Sequence, residues 1–323
     1  MKKVIVILLL LVLVIIGIPM AILNLFNEET IIEPIESGKK VSVFLQNKKQ
    51  VAELDLEEYI KGVVASEMPG EFEMEALKAQ AIAARTYALS RIKIYDEKGN
   101  SAHPQAPLCD GVHCQAFLSR EDLQKAKSAQ WMLKYWPKIS EAVEKTQGMV
   151  MTYEDELVTQ PLFHSTSGGR TANSEDVFVA WVPYLRSVES PYEEGAPHLN
   201  DTVTISLQEF KNKVQSKYKN LNLDLKNVGS LVQILERNID GRVRKIKVGN
   251  LILSGRDVRE TLGLRSANFT VTISGDKIIF NTVGFGHGVG MSQWGANGMA
   301  GKGSNYTEIL KHYYQGIELT SLY

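Results

Sequence analysis

The chain has almost no net charge: 36 basic residues are matched by 37 acidic ones, leaving a formal −1 over 323 residues. Without an excess of either sign, nothing drives wholesale binding to DNA or to anionic lipid, so nucleic acid is not expected as a partner. Cysteine is scarce too. Cys109 and Cys114 are the only two, so at most one intrachain bridge can form. No repeat or low-complexity tract appears, and no Gly-x-Ser-x-Gly elbow accompanies the serines. The glycine-rich stretch at 284–295 has no lysine after it, which argues against a phosphate loop. Charge is absent altogether from residues 4–26.

That last absence is informative. A run of this length crosses a bilayer at about 1.5 Å per residue, and Lys2 and Lys3 precede it, which places the N-terminus in the cytoplasm and the remainder outside. No clean small-x-small cleavage site follows, so an uncleaved transmembrane anchor is preferred to a signal peptide. The expected organisation is a stub and anchor at 1–27, an acidic linker at 28–40 containing Glu28, Glu29 and Glu33, and a folded part at 41–323. With 44% hydrophobic and 8% aromatic residues, the chain can bury a core of one large domain or two.

The folded part is organised around residues 55–87. Asp55 is an N-cap candidate with Glu58 three residues on, and Leu56, Tyr59, Ile60, Val63 and Val64 recur on one helical face. Glu67 continues that face before Pro69 and Gly70 stop the helix. Apolar surroundings and the negative end of the helix dipole both oppose ionisation, so Glu67 reads as a poised acid. A second helix is expected over 71–90, rich in alanine and carrying Gln80, Arg85, Thr86 and Tyr87.

Elsewhere the pattern predicts a hairpin at 41–45 and 51–54, a polar loop at 95–115, helices at 121–135 and 137–146, and a strand at 149–153. A strand from 161 should run into the small-residue turn ending at Arg170. Beyond residue 199 come helices at 207–218 and 254–263, hairpins at 230–248 and 268–283, and a last helix at 306–314. The class is α+β: a mixed helical and antiparallel-sheet core, with a possible smaller inserted lobe at about 200–266.

Three clusters could carry chemistry or binding. His103, Cys109, His113 and Cys114 make a Cys2His2 set suited to a closed structural zinc site, with a Cys109–Cys114 disulfide as the alternative. His164, Ser165, Ser167 and Gly168 fit a cleft wall that hydrogen-bonds sugars, or a tight turn with a structural histidine. His287, Ser292, Gln293 and Trp294 are further contact candidates, Trp294 equally a core residue. The segment at 175–192 is aromatic-rich, of the kind that stacks on sugar faces or simply packs.

Residues 58–69 (EYIKGVVASEMP) and 79–88 (AQAIAARTYA), with 163–170 and 284–295, resemble the stage II sporulation protein D family, peptidoglycan lytic transglycosylases of endospore formers. The likeness spans roughly 41–323. It implies that Glu67 is the acid and base and that 41–323 is a catalytic domain with Arg85 and Tyr87 beside the substrate. It also implies a metal near the Cys/His loop, structural only, and no cofactor for the chemistry. The implied substrate is glycan stripped of stem peptides by a sporulation amidase, in a complex with a membrane scaffold protein that drives engulfment. The implied location is the mother-cell membrane, facing the intermembrane space. One carboxylate suffices in such an enzyme because the sugar's own 6-hydroxyl replaces water, with dipoles of the Ser/Gly turns expected to steady the oxocarbenium-like state. Two rivals remain: a zinc amidase using His164, His198 and His287, and a non-catalytic wall-binding scaffold.

Overall fold

The computed structural model describes residue 14 and residues 38–322, apart from 112 and 226–230. The anchor expected at 4–26 lies outside the described residues, among which no helix is long and apolar enough to cross a membrane.

The chain opens with a hairpin, β1 Lys40–Leu45 and β2 Gln50–Asp55, to which β3 Leu108–Cys109 adds in parallel beside β1. Asp55 then caps α1 Leu56–Glu67, its carboxylate accepting from the N–H groups of Glu57 and Glu58 at 2.9 and 3.1 Å. The apolar stripe behaves as its spacing requires: Tyr59, Ile60, Val63 and Val64 are fully buried. Helix α2 Met74–Lys98 is buried all round from Ala76 to Ser90. Its alanines keep it thin, so other elements close on every side.

Arg85 lies inside that packing. Its guanidinium makes a two-pronged pair with Glu57 at 2.6 and 2.8 Å and donates to the carbonyl of Met149 at 3.1 Å. It stitches α1, α2 and β4 Met149–Tyr153 together. It does not face a cleft, contrary to the expectation that it contacts substrate.

Two helix boundaries differ from the sequence reading. The break expected at 136 falls instead between α3 Arg120–Ala126 and α4 Ala129–Glu144, where Ser128 caps the second helix through the N–H of Trp131. Pro137 is accommodated inside α4; the carbonyl it deprives of a donor belongs to Leu133, which is exposed to water. Likewise, α2 continues two turns past Ser90 with a polar surface.

After β4 and β5 Glu156–Leu157, the strand expected from 161 shrinks to β6 Phe163–His164, paired in parallel with β13 Met291–Ser292. A short α5 Ser174–Phe178 follows. A second hydrophobic cluster is built by β7 Asn200–Ser206, α6 Leu207–Lys217, β8 Val232–Arg237, β9 Val243–Val248, β10 Leu251–Leu253, α7 Gly255–Leu262, β11 Phe269–Ser274 and β12 Lys277–Val283. It extends past 266, because β12 pairs with both β11 and β7. The glycine motif does not stay a loop: Ser292 caps α8 Gln293–Gly301. After α9 Tyr306–Tyr313, β14 Glu318–Ser321 returns to pair with β4. The observed class is therefore α+β, with antiparallel sheets predominating.

Arg85→Ala takes the ion-pair partner from half-buried Glu57, whose Oε1 also accepts from Gly148 N at 3.4 Å, and opens a void in α2. A loss of about 3–5 kcal/mol is expected, read as a lower urea midpoint at unchanged slope.

Candidate active site

Glu67 is the last residue of α1 and is half-buried. Its Oε1 accepts from the backbone N–H of Ala116 at 2.6 Å. Burial pushes the carboxyl above its ordinary range, and the Ala116 N–H pulls weakly the other way. Among the described residues no charged side chain pairs with it. Its backbone carbonyl, one of those a helix end leaves without an internal donor, accepts from Gln293 Nε2 at 3.1 Å. Thus α1, the segment following the Cys/His loop, and the start of α8 converge on one residue.

The Cys/His loop is gathered. The ligand atoms of His103, Cys109, His113 and Cys114 all lie within 4.8 Å of one another, and both cysteines are free. His103 Nε2 is 3.1 Å from His113 Nδ1 and 3.3 Å from Cys114 Sγ, which is 3.9 Å from His113 Nδ1. A tetrahedral zinc with bonds of about 2.0–2.1 Å to nitrogen and about 2.3 Å to sulfur requires N···N near ~3.3 Å and N···S near ~3.6 Å. His103, His113 and Cys114 stand near those separations, with Cys109 Sγ within 4.8 Å of each, so the donor set suits the ion. His103 Nδ1 bonds the carbonyl of Ala106 at 2.7 Å, which turns Nε2 inward. Two residues past Cys114 comes Ala116, the donor to Glu67.

A third group escaped the sequence reading. Glu193, buried at 4% exposure, accepts from Ser167 N and Oγ (3.0 and 2.7 Å), Gly168 N (2.8 Å), Gly169 N (3.2 Å), Ser190 Oγ (2.8 Å) and Ser292 Oγ. One carboxylate thereby ties the Ser/Gly turn to the residue that caps α8, immediately before Gln293. No local signal marks it, since its partners lie 3 to 99 positions away. Tyr192, just before it, holds a positive φ of 66°, strain consistent with an imposed orientation.

A family profile described as stage II sporulation protein (SpoIID) matches residues 45–153, the segment containing Glu67 and the Cys/His loop. The chain is 40% identical over 286 residues to stage II sporulation protein D of Bacillus amyloliquefaciens, covering 88% of this chain and 80% of that one. It is 39% identical over 290 residues to stage II sporulation protein D of Bacillus subtilis, with the same coverage. The chain belongs to the SpoIID family. A more distant likeness, 27% over 312 residues, is to the amidase enhancer of Bacillus subtilis, 81% of this chain and 40% of that protein.

In this SpoIID chain the other sequence candidates are distributed unevenly. Tyr87 is buried beneath the guanidinium of Arg91, 4.7 Å from its ring centre, and is raised by burial and by neighbouring Cys114. It therefore supports the Cys/His loop. Ser165 is half-buried, its carbonyl accepting from Trp294 N at 3.1 Å. Ser167 and Gly168 give their donors to Glu193, so those dipoles are spent inside the protein. Ser292 is fully buried and Gln293 nearly so. Trp294 packs edge-on against Phe72 with ring centres 4.9 Å apart. His164 is buried, its ring centre 5.5 Å from that of His287, and burial holds it well below the usual histidine range. His198 rests on Phe285 instead. Among the described residues, His164, His198 and His287 form no metal-holding group, which leaves the amidase rival without a centre.

Glu193→Ala removes the shared acceptor of six donors, of which those of Ser167, Ser190 and Ser292 are buried. A destabilisation of about 3–5 kcal/mol is expected from urea denaturation, far above that of Glu189→Ala, whose side chain is exposed.

Proposed function

We propose that this SpoIID protein is a lytic transglycosylase that cleaves the N-acetylmuramic acid to N-acetylglucosamine link of denuded peptidoglycan glycan. The observation that carries the reading is a solitary carboxyl at the end of α1, raised by burial and clasped by a single N–H. With Oε1 held by Ala116, the second oxygen is available to a ligand. Protonated Glu67 donates to the glycosidic oxygen as its bond to C1 breaks. The resulting carboxylate then takes the proton of the 6-hydroxyl while O6 bonds to C1, closing a 1,6-anhydro ring and restoring the acid. No water is consumed, so no second carboxylate has to activate one.

The Cys/His loop supports this role as a structural zinc site. Four protein ligands close a tetrahedral ion and leave no position for water, so it staples the segment that carries Ala116. The apolar run at 4–26 anchors the protein in the mother-cell membrane with 41–323 outside, facing the intermembrane space. The likeness to an amidase enhancer supports a working association with an amidase that strips the glycan, alongside a membrane scaffold.

Glu67→Gln keeps the shape and removes the exchangeable proton. Loss of anhydro-ended products by at least about a hundredfold, by mass spectrometry on denuded glycan, is expected; retained cleavage ends the proposal. Activity should fall as pH rises through a value above the ordinary glutamate range, because the first step needs the acid form.

Stability carries a matching sign. Between the unfolded and the raised folded pKa the native state binds the extra proton, so stability declines as pH rises across that window. Glu67→Gln should therefore melt higher at neutral pH, by roughly 2–4 °C, with the gain disappearing in acid below the unfolded value.

Elemental analysis should find one zinc per chain, lost on Cys114→Ser together with a lower melting temperature. A mass showing a Cys109–Cys114 bridge and no zinc would overturn the metal assignment.

A further inference from the structure

A cavity of about 380 Å3 opens between α5 and α7, with Gly286 and His287 on its wall. Its volume falls in the range of small-molecule sites. The charges around it are not equally committed. Glu175 is paired with Arg186 at 2.5 Å, Glu260 with Arg256 at 2.8 Å, and Asp257 is held by Ser254 and Lys217. Among the cations, Arg242 is locked to Asp240 and Arg244 to Glu236.

Arg259 is the exception. Half-buried, it donates only through Nε, to the carbonyl of Arg265 at 3.1 Å. Its two terminal nitrogens have no partner among the described residues. Burial and the nearby Arg242 and Arg256 draw its basicity down, with Glu260 opposing, the mark of a cation whose environment favours an added anion. His287 contributes no positive charge at neutral pH, since burial takes it down to about 4. The rim adds apolar surface. Val179 is 89% exposed with a φ of 73°, a strained setting for a β-branched residue.

We propose that this cavity is a carboxylate-binding subsite in which the terminal nitrogens of Arg259 take the lactyl carboxylate of a muramic acid residue. The proposal rests on the glycan-cleaving reading and deepens it. In a peptide-bearing strand that carboxyl is an amide, neutral and without two equivalent acceptors, so a guanidinium fork loses its partner. In a stripped strand it is a free anion. The subsite lies on the same strand of chain as the candidate catalytic end: His287 is six positions from Gln293, at most ~22 Å along an extended backbone, a reach of a few linked sugars. One arginine thereby converts removal of the stem peptide into a binding signal.

The test uses the full chain in detergent, carrying Glu67→Gln so that glycan survives titration. Calorimetry compares a denuded glycan oligosaccharide, the same oligosaccharide with its lactyl carboxylates amidated, and a chito-oligosaccharide of equal length. The denuded form should bind about 10- to 100-fold more tightly than the other two, with the advantage shrinking in salt. Adding Arg259→Met should abolish that preference while leaving chito-oligosaccharide affinity unchanged. Arg259→Lys should keep part of it, as charge without a fork. An undiminished preference in Arg259→Met, or no preference in the parent chain, overturns the subsite. Failure of the wild-type protein to make anhydro ends sinks the enzyme reading separately, because this preference is read in binding alone.

Discussion

The bond from Ala116 N–H to Glu67 Oε1 is the interaction on which the candidate site depends. A carboxyl at the C-terminal end of a helix, over an apolar stripe, has every electrostatic reason to swing into water. The single donor holds it in place, and burial outweighs that bond in setting the direction of its shift, above the ordinary glutamate range. Its orientation is thus inherited from the loop that delivers Ala116. That loop is fixed on one side by β3 against β1 and by the gathered histidines and cysteines. On the other, Gln115 Nε2 bonds the Tyr59 hydroxyl and the Ala84 carbonyl at 3.4 and 3.3 Å, tying the loop to α1 and α2.

Two glutamates here illustrate opposite uses of burial. Glu193 accepts from six donors and fills its coordination with the protein's own groups. Glu67 accepts from one. A carboxylate saturated by its own fold has no lone pair to spare, whereas one under-supplied with donors keeps an open oxygen. The first is an anchor, and the second is the reagent of the proposed mechanism. They communicate structurally, because Glu193 fixes Ser292, Ser292 caps α8, and the next residue, Gln293, reaches back to the Glu67 carbonyl.

What was legible in the sequence was local. The Asp55 cap, the stripe from Leu56 to Val64, the turns of the hairpins around Asp240 and Gly275, and the helix expected from residue 254 all depend on neighbours within four positions. The gathering of His103, Cys109, His113 and Cys114 was visible because all four fall within twelve positions. Helix α8 was not, because Gly295, Gly298 and Gly301 look like loop; close packing explains them, since a Cβ at Gly298 would meet Tyr192 at 2.4 Å. Arg85 read as a side chain beside the substrate. The alanines around it make α2 a buried rod instead, so its only partners are internal. Glu193 was invisible in principle: its ligands come from three separate segments, and only the folded chain assembles them.

The expectation that the Ser/Gly turns steady the transition state gives way to a different arrangement. Amide N–H groups favour a developing negative charge, whereas an oxocarbenium-like sugar is positive. The amides of Ser167, Gly168 and Gly169 are in any case turned onto Glu193. The positive φ values of 83° and 101° at Gly168 and Gly169 serve that convergence, and a Cβ at Gly168 would press on Val283 at 2.9 Å. The negative charge that the sugar cation needs must therefore come from the group that has just lost its proton. In a half-buried pocket the Glu67 carboxylate, destabilised by its surroundings, is relieved by an adjacent cation as much as it relieves it. In the proposed mechanism a single under-solvated carboxyl thus supplies the acid, the counter-charge and the base in turn, and its burial bears on each of the three roles.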